Sequence, residues 1–523
     1  MTRQAPLRQA HATTVALNAL DASLVRVEVD CARGLPGFHL VGLPEACVRE
    51  SRTRVRAALR HLGIDLNEHA VTVNLAPADL RKSGSAFDLA IACAILVALG
   101  QVPREPLEGL VLLGELSLSG EVTAVRGVLP ALLGARTHGK TRAVVPRANG
   151  AEARTLEGID VRIASTLDEV ARHLRGEPLV RAEALAPSAP ARTEHGGDLD
   201  EVRGQLAARR ALEIAAAGHH NLLMLGPPGT GKTMLARRLP TLLPEMTRAE
   251  ALEVTAIHSV AGLLSAAHGL VLDRPFRAPH HTLSEAALLG GGSTIRPGEI
   301  SLAHHGCLFL DELLEFRKHV IDGMRQPLEE GRVTIARARH TATFPARPLL
   351  IAAVNPCPCG YHGTDGPRRC RCARDQIERY RARLSGPILD RIDLHVGLAP
   401  VSIDDLAGGA VSESSASVRA RVVAARAMQC ERRRHGVTRA ERNAELSSQE
   451  LDRVAPLSTK ARGLMERAME TLGLSARAFV RVRRVARTLA DLEGSDGVGV
   501  EHIAEAIAAR ALDRSGSSLA KAS

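Results

Sequence analysis

The chain contains no tryptophan, and its seven phenylalanines and two tyrosines bring the aromatic share to only 2%. A platform that stacks successive bases on aromatic rings is therefore not expected. Any contact to nucleic acid would run mainly through arginine to phosphate, with weak sequence preference. Long apolar runs are also missing. The longest, "FDLAIACAILVALG" at 87–100, is too short to cross a bilayer and carries Asp88. The opening "MTRQAPLRQAHATT" lacks the apolar segment of a secretory leader, so a cytoplasmic location without membrane association is expected. Nine cysteines is an odd number, and a chain of 523 residues has no need of disulfide staples. Reduced thiols are expected.

What is plentiful is positive charge. Lys and Arg number 68 against 58 Asp and Glu, a formal net charge of +10 with a pI near 9.5. This balance suits an anionic partner such as nucleic acid, and equally a solvated basic surface. At roughly 100–200 residues per domain the length predicts about three domains. Residues 1–176 alternate short β-branched runs ("SLVRVEVD", "AVTVNLA", "TRAVVP") with helical patterns and read as an α/β or α+β domain. An Ala-, Pro- and Gly-rich stretch at 177–200 reads as a linker. An α/β core is expected over 201–400, a helical domain over 401–512 and a disordered tail at 513–523. Several helical runs beyond 400 are preceded by serine, the residue type that caps helix N-termini.

The chemistry begins at "GPPGTGKT", 226–233, which follows the apolar strand "NLLML". Gly226, Pro227, Pro228, Gly229, Thr230 and Gly231 form a loop in which the three glycines let backbone N–H groups curl around phosphates. Lys232 would place its charge on the β/γ oxygens, and Thr233 would offer a hydroxyl to Mg²⁺. The strand "CLFLDE" ends in Asp311, suited to the Mg²⁺ shell, and Glu312, suited to polarising the attacking water. A further strand, "PLLIAAVNP", ends in Asn355, able to orient that water. In this order the set predicts an ATPase with ATP and Mg²⁺ as its nucleotide and metal.

These motifs resemble the AAA+ ATPases of the branch with a helix-2 insert, which includes magnesium chelatase subunits. In that resemblance "SGPILDRIDLHV" makes Arg391 a finger reaching the γ-phosphate of a neighbouring subunit, and "SARAF" makes Arg477 the lid arginine. The segment 275–316, "AAVNPCPCGY" and "RVARTLADLEG" narrow the resemblance to the ComM/YifB family of magnesium-chelatase-like proteins. The family implies a hexameric, ATP-dependent DNA motor that promotes branch migration of recombination intermediates in natural transformation. Its partners would be branched or single-stranded DNA and further copies of itself. The stretch 331–345 reads as a hairpin with Arg337, Arg339 and His340 near its tip, and the resemblance makes it a pore hairpin that could grip a phosphate backbone. His280 and His281, in the insert, read as packing or loop residues. Arg432, Arg433 and Arg434 suit an ion-paired helix face better than DNA.

Two further readings complete the picture. The N-terminal region resembles the Lon-type protease domain, but alignment puts Ala86 where the nucleophile belongs and Leu129 or Ala131 where the lysine base belongs. Ser83, Ser85 and Lys82 lie nearby without forming a dyad by sequence, so an inactive Lon-like fold is expected. In "NPCPCGYHGTDGPRRCRC", Cys357, Cys359, Cys370 and Cys372 form two C-x-C pairs, suited to tetrahedral Zn²⁺ or to packed thiols. A chelatase-like ATPase driving a protein partner is the alternative function, and an ATP-dependent protease the third.

Overall fold

Strand Leu222–Leu225 is flanked on both sides by buried apolar strands, as its uninterrupted hydrophobic sequence requires of a parallel sheet covered on two faces. The computed structural model describes residues 9–80, 82, 84–185, 197–264, 269–292, 295–337, 340–363, 368–384, 386–401 and 412–510. Ser83, Arg339 and the tail at 513–523 lie outside them. The central sheet has five parallel strands, in the spatial order Phe276–Arg277, Cys307–Leu310, Leu349–Val354, Leu222–Leu225, Leu394–Gly397. Because every strand runs the same way, one edge of the sheet collects all the strand ends and the other all the strand starts. Loops at the strand ends are where open α/β sheets hold ligands.

The C-terminal helices Ser415–Arg434, Thr459–Leu472, Ala476–Leu492 and Val500–Ala508 do not form a separate core. Val418, Val422 and Ala425 share one buried cluster with Leu212, Leu239 and the sheet residues Leu222 and Met224. The serines before these runs act as caps: the side chains of Ser414, Ser458 and Ser475 each accept a backbone N–H three residues on. Inside this lid, Asp491 is buried and ion-paired to Arg432 at 2.6 Å and Arg487 at 2.9 Å, with Asn443 donating at 2.7 Å. Arg432 is thus committed to the fold, and Arg433 pairs with Glu441.

The N-terminal region builds a mixed eight-stranded sheet around Gln9–Asn18, which pairs antiparallel with Asp21–Arg33 and parallel with Leu110–Leu112. The apolar run at 87–100 becomes helix Asp88–Ala98, buried on every side, with Asp88 neutralised by Arg54 at 2.5 Å. No helix among the described residues is long and apolar enough to cross a membrane. The stretch expected to be a linker has regular structure at its described residues. Val180–Arg181 pairs antiparallel with Asp160–Ala164, and Asp198 caps a turn at Leu199–Glu201 while accepting the N–H of Ser415 at 2.7 Å. Backbone pairing and capping need little apolar sequence, so hydrophobic periodicity could not register them.

The two regions meet along helices Val128–Thr137 and Arg248–Ala261. Glu152, buried between them, accepts the N–H of Leu129 at 2.7 Å and the hydroxyl of Ser259. At the position resembling the protease site, Ala86, Leu129 and Ala131 pack in one apolar cluster. Ser85 donates to Glu115 instead of facing a lysine, and Lys82 donates to the carbonyl of Pro77.

Candidate nucleotide site and arginine cleft

The P-loop leaves strand Leu222–Leu225 at the strand-end edge and enters helix Lys232–Leu242 through Gly231, whose φ of +87° only glycine adopts cheaply. The ammonium of Lys232 donates to the carbonyls of Gly226 at 2.6 Å and Pro227 at 2.9 Å, and to Oδ1 of Asn355 at 3.1 Å. Thr230 ties the loop to itself, its hydroxyl donating to the carbonyl of Pro227 at 2.9 Å. Burial pushes Lys232 down to about 8, against the pull of Asp311 and Glu312. Thr233 donates its hydroxyl to Oδ2 of Asp311 at 2.8 Å. A hydroxyl and a carboxylate oxygen converging at a helix N-terminus fit the all-oxygen preference of Mg²⁺. Glu312 sits in the left-handed region at φ 51°, half exposed, with a carboxylate oxygen 3.6 Å from Nδ1 of His281. His281, read from sequence as a loop or packing residue, is therefore beside the candidate base. Nothing in its local sequence signals this, because the contact joins the insert to a different strand.

Arg391 and Arg477 lie at the opposite edge. The side-chain amide of Asn221, just before strand Leu222–Leu225, donates to the carbonyl of Arg391 at 2.8 Å and accepts the N–H of Leu350 at 3.0 Å. Arg391 pairs with Glu329 at 2.5 Å and Arg477 with Asp390 at 3.3 Å. Both line an open cleft of about 650 Å³ together with Arg481, Arg484 and Arg347. Arg481 pairs with buried Asp393 at 3.0 Å. Burial opposes ionisation of Asp393, but the hydrogen bond with His220 and the charge of Arg481 hold it well below the usual carboxylate range. A four-residue strand spans about 13 Å, so the structure does not bring Arg391 or Arg477 to Lys232 of the same chain. The Ser475 cap and the aspartates at 390 and 393 keep Arg477 at the strand-start edge. It is not a lid over this chain's own P-loop. Arg481 and Arg484, which sequence reasoning missed, belong to the same basic face.

The hairpin is present as Arg332–Arg337 paired with His340–Pro345, with Arg337 opposite His340. Its second strand is anchored along its length, up to the residue beside the tip, by contacts that no local pattern announces: Phe344 and Ala342 pack on Ala19, and Asn18 donates to the carbonyl of Thr341 at 3.0 Å. The four cysteine sulfurs lie within 4.8 Å of one another, and all are free thiols. At Cys359 the cost of burial is outweighed by the backbone N–H groups of Tyr361 and Arg371, which bring its thiol down to about 6. A second cluster, Glu253 with His304 and His305, is a hydrogen-bonded set. Nδ1 of His304 accepts the N–H of Arg347, which leaves Nε2–H to donate to Glu253 at 2.9 Å.

A P-loop, a strand-end acid pair and a polar strand tip on a five-stranded parallel sheet, covered by a helical lid, define a magnesium-chelatase-type AAA+ ATPase. Family models agree: "Magnesium chelatase, subunit ChlI" matches residues 198–406, "Subunit ChlI of Mg-chelatase" 27–149, and "Magnesium chelatase, subunit ChlI C-terminal" 412–510. The chain is 46% identical to an uncharacterised protein of Mycobacterium tuberculosis, over 95% of this chain and 98% of that one. It is 44% identical to competence protein ComM of Haemophilus influenzae, over 95% and 96%. Identity to the uncharacterised protein YifB of Escherichia coli is 42%, over 96% and 97%. The chain belongs to the ComM/YifB family. A stretch of 146 residues is also 28% identical to an archaeal Lon protease.

Proposed function

We propose that this protein is the subunit of a ring-shaped, ATP-driven DNA motor that moves branched recombination intermediates. The observation that carries the reading is the placement of Lys232, Thr233, Asp311 and Asn355 at one edge of the sheet and Arg391, Arg477, Arg481 and Arg484 at the other. A nucleotide held by Lys232 would meet Arg391 and Arg477 only from another copy, so full hydrolysis would require assembly, as in a closed ring of identical subunits, with six as the expected number. Mg²⁺, when bound by Thr233 and Asp311, would neutralise charge on the β/γ oxygens. Glu312 would take the proton of the attacking water, and Asn355 would orient that water. The cysteine quartet would hold Zn²⁺. The net charge of +10, the Arg337–His340 hairpin and the 44% identity to a competence protein support DNA as the cargo.

The deciding experiment is branch migration of a labelled four-way DNA junction by wild type, Lys232→Ala and Glu312→Gln at several salt concentrations. Migration by wild type alone is expected, together with ATPase stimulated by DNA. Wild type that neither migrates junctions nor responds to DNA would leave the chelatase-like reading, in which the same ATPase drives a protein partner. That alternative draws on the magnesium chelatase family models matching the chain.

A further inference from the structure

Four thiols meet beside the P-loop, and their geometry is that of a metal centre. Cys357 and Cys370 sulfurs are 3.7 Å apart, Cys359 and Cys370 3.6 Å, and Cys357 and Cys359 3.3 Å. A zinc ion with Zn–S bonds of about 2.3 Å in a tetrahedron places its sulfurs about 3.8 Å apart. Backbone N–H groups point at the sulfurs, with Cys372 N–H donating to Cys370 at 3.4 Å.

The knuckle touches the nucleotide loop directly. Cys357 is fully buried two residues after Asn355, at the end of the buried strand Leu349–Val354. The chain then turns at Gly360, at φ +84°, and lies so close to the P-loop that a Cβ there would sit 2.5 Å from Cδ of Pro228. On the far side, helix Arg374–Arg381 starts just after Cys372 and returns Arg381 to the carbonyl of Pro356 at 3.2 Å. The described residues of 357–372 thus link Asn355, Pro228 and a helix, and they are drawn together by the four sulfurs and by Arg368, which donates to the Tyr361 hydroxyl at 3.0 Å.

We propose that Cys357, Cys359, Cys370 and Cys372 bind one Zn²⁺ whose presence holds Gly360 against Pro228 and Asn355 toward Lys232, so that nucleotide affinity depends on the metal. The proposal rests on reading the Lys232–Asn355 pocket as the ATP site. Without the ion, four close thiol groups have no shared centre, and the loop between the two cysteine pairs gains conformational freedom.

The test uses the full chain as purified. Zinc is counted by mass spectrometry of the metal, then displaced with an organomercurial and a chelator, the mercurial is reversed with thiol, and binding of a fluorescent ATP analogue is titrated before, after, and upon zinc return. One zinc per chain, a loss of affinity of about 5–150-fold on stripping, the usual span of coupling between two sites, and recovery with zinc are expected. Gly360→Ala provides a second arm that leaves the ligands alone: full zinc content with weakened analogue binding is expected. Absence of zinc with four freely titrating thiols overturns the metal site. Full zinc in Gly360→Ala with wild-type affinity overturns the coupling, even if stripping itself unfolds the chain, as circular dichroism would show. A zinc-loaded wild type that binds no analogue overturns the ATP-site reading and the coupling with it, while the zinc count still judges the metal site.

Discussion

Asn221 donates its side-chain amide to the carbonyl of Arg391 at 2.8 Å, fixing the arginine at the start of the strand whose other end opens into the P-loop. One asparagine thus ties the start of that strand to Arg391, with the P-loop at the strand's other end.

Arg391→Ala is expected to retain ATP binding and lose hydrolysis by roughly 10³–10⁵-fold, the range for an arginine supplied across an interface. The analogue titration and a phosphate-release assay check the two halves. Mixing Arg391→Ala with Lys232→Ala should restore part of the rate, since each variant supplies the side the other lacks. Wild-type turnover per subunit should also rise with protein concentration until the assembly is complete.

Lys232, held down at about 8 by burial, should be drawn back up when phosphate oxygens arrive. Binding therefore takes up protons above about pH 8, and affinity, full below that pH, falls as pH rises through it. Calorimetry in buffers of different ionisation enthalpy reads the proton uptake directly. Lys232→Arg, charged throughout, should show no such uptake.

Arg337→Ala and His340→Ala are expected to spare basal ATPase and reduce DNA-stimulated turnover. If Arg337 meets a phosphate, its loss should flatten the logarithmic salt dependence of binding by about 0.7–0.9 per contact. An unchanged slope would assign it to the protein surface.

Asp491→Ala removes the acid shared by Arg432, Arg487 and Asn443, leaving buried cations unpaired. A destabilisation of about 3–5 kcal/mol is expected in denaturant titration, because the remaining charges keep their desolvation cost without a partner. Arg433→Ala, which breaks only a partly exposed pair, should cost about 1 kcal/mol or less.

Elements whose physics is local were legible in the residues. A strand followed by a glycine-rich loop and a lysine announces itself because backbone donors, a φ of +87° at Gly231 and a helix N-terminus all fall within eight residues. The serine caps are equally local, as is the apolar run at 87–100 as a core helix, since Asp88 argues against lipid. The expectation for Arg477 was less complete. Its resemblance to a lid arginine says nothing of the edge of the sheet at which it lies, and that depends on how helix Ala476–Leu492 packs, a matter of Asp390 and Asp393 far away in sequence. His281 beside Glu312, the Asn18 turn under the hairpin and Gly360 against Pro228 were hidden for the same reason.

The sequence by itself determined the chemistry available: a phosphate loop, an acid pair, a basic balance and a set of arginines and thiols, each readable because residue type and near spacing define it. The tertiary structure alone decided which of these meet. Contacts between distant segments follow from sheet order, helix packing and buried ion pairs, whose energies are shared across the whole core. That is why the same chain carries its P-loop and the cleft of Arg391 and Arg477 at opposite ends of one sheet.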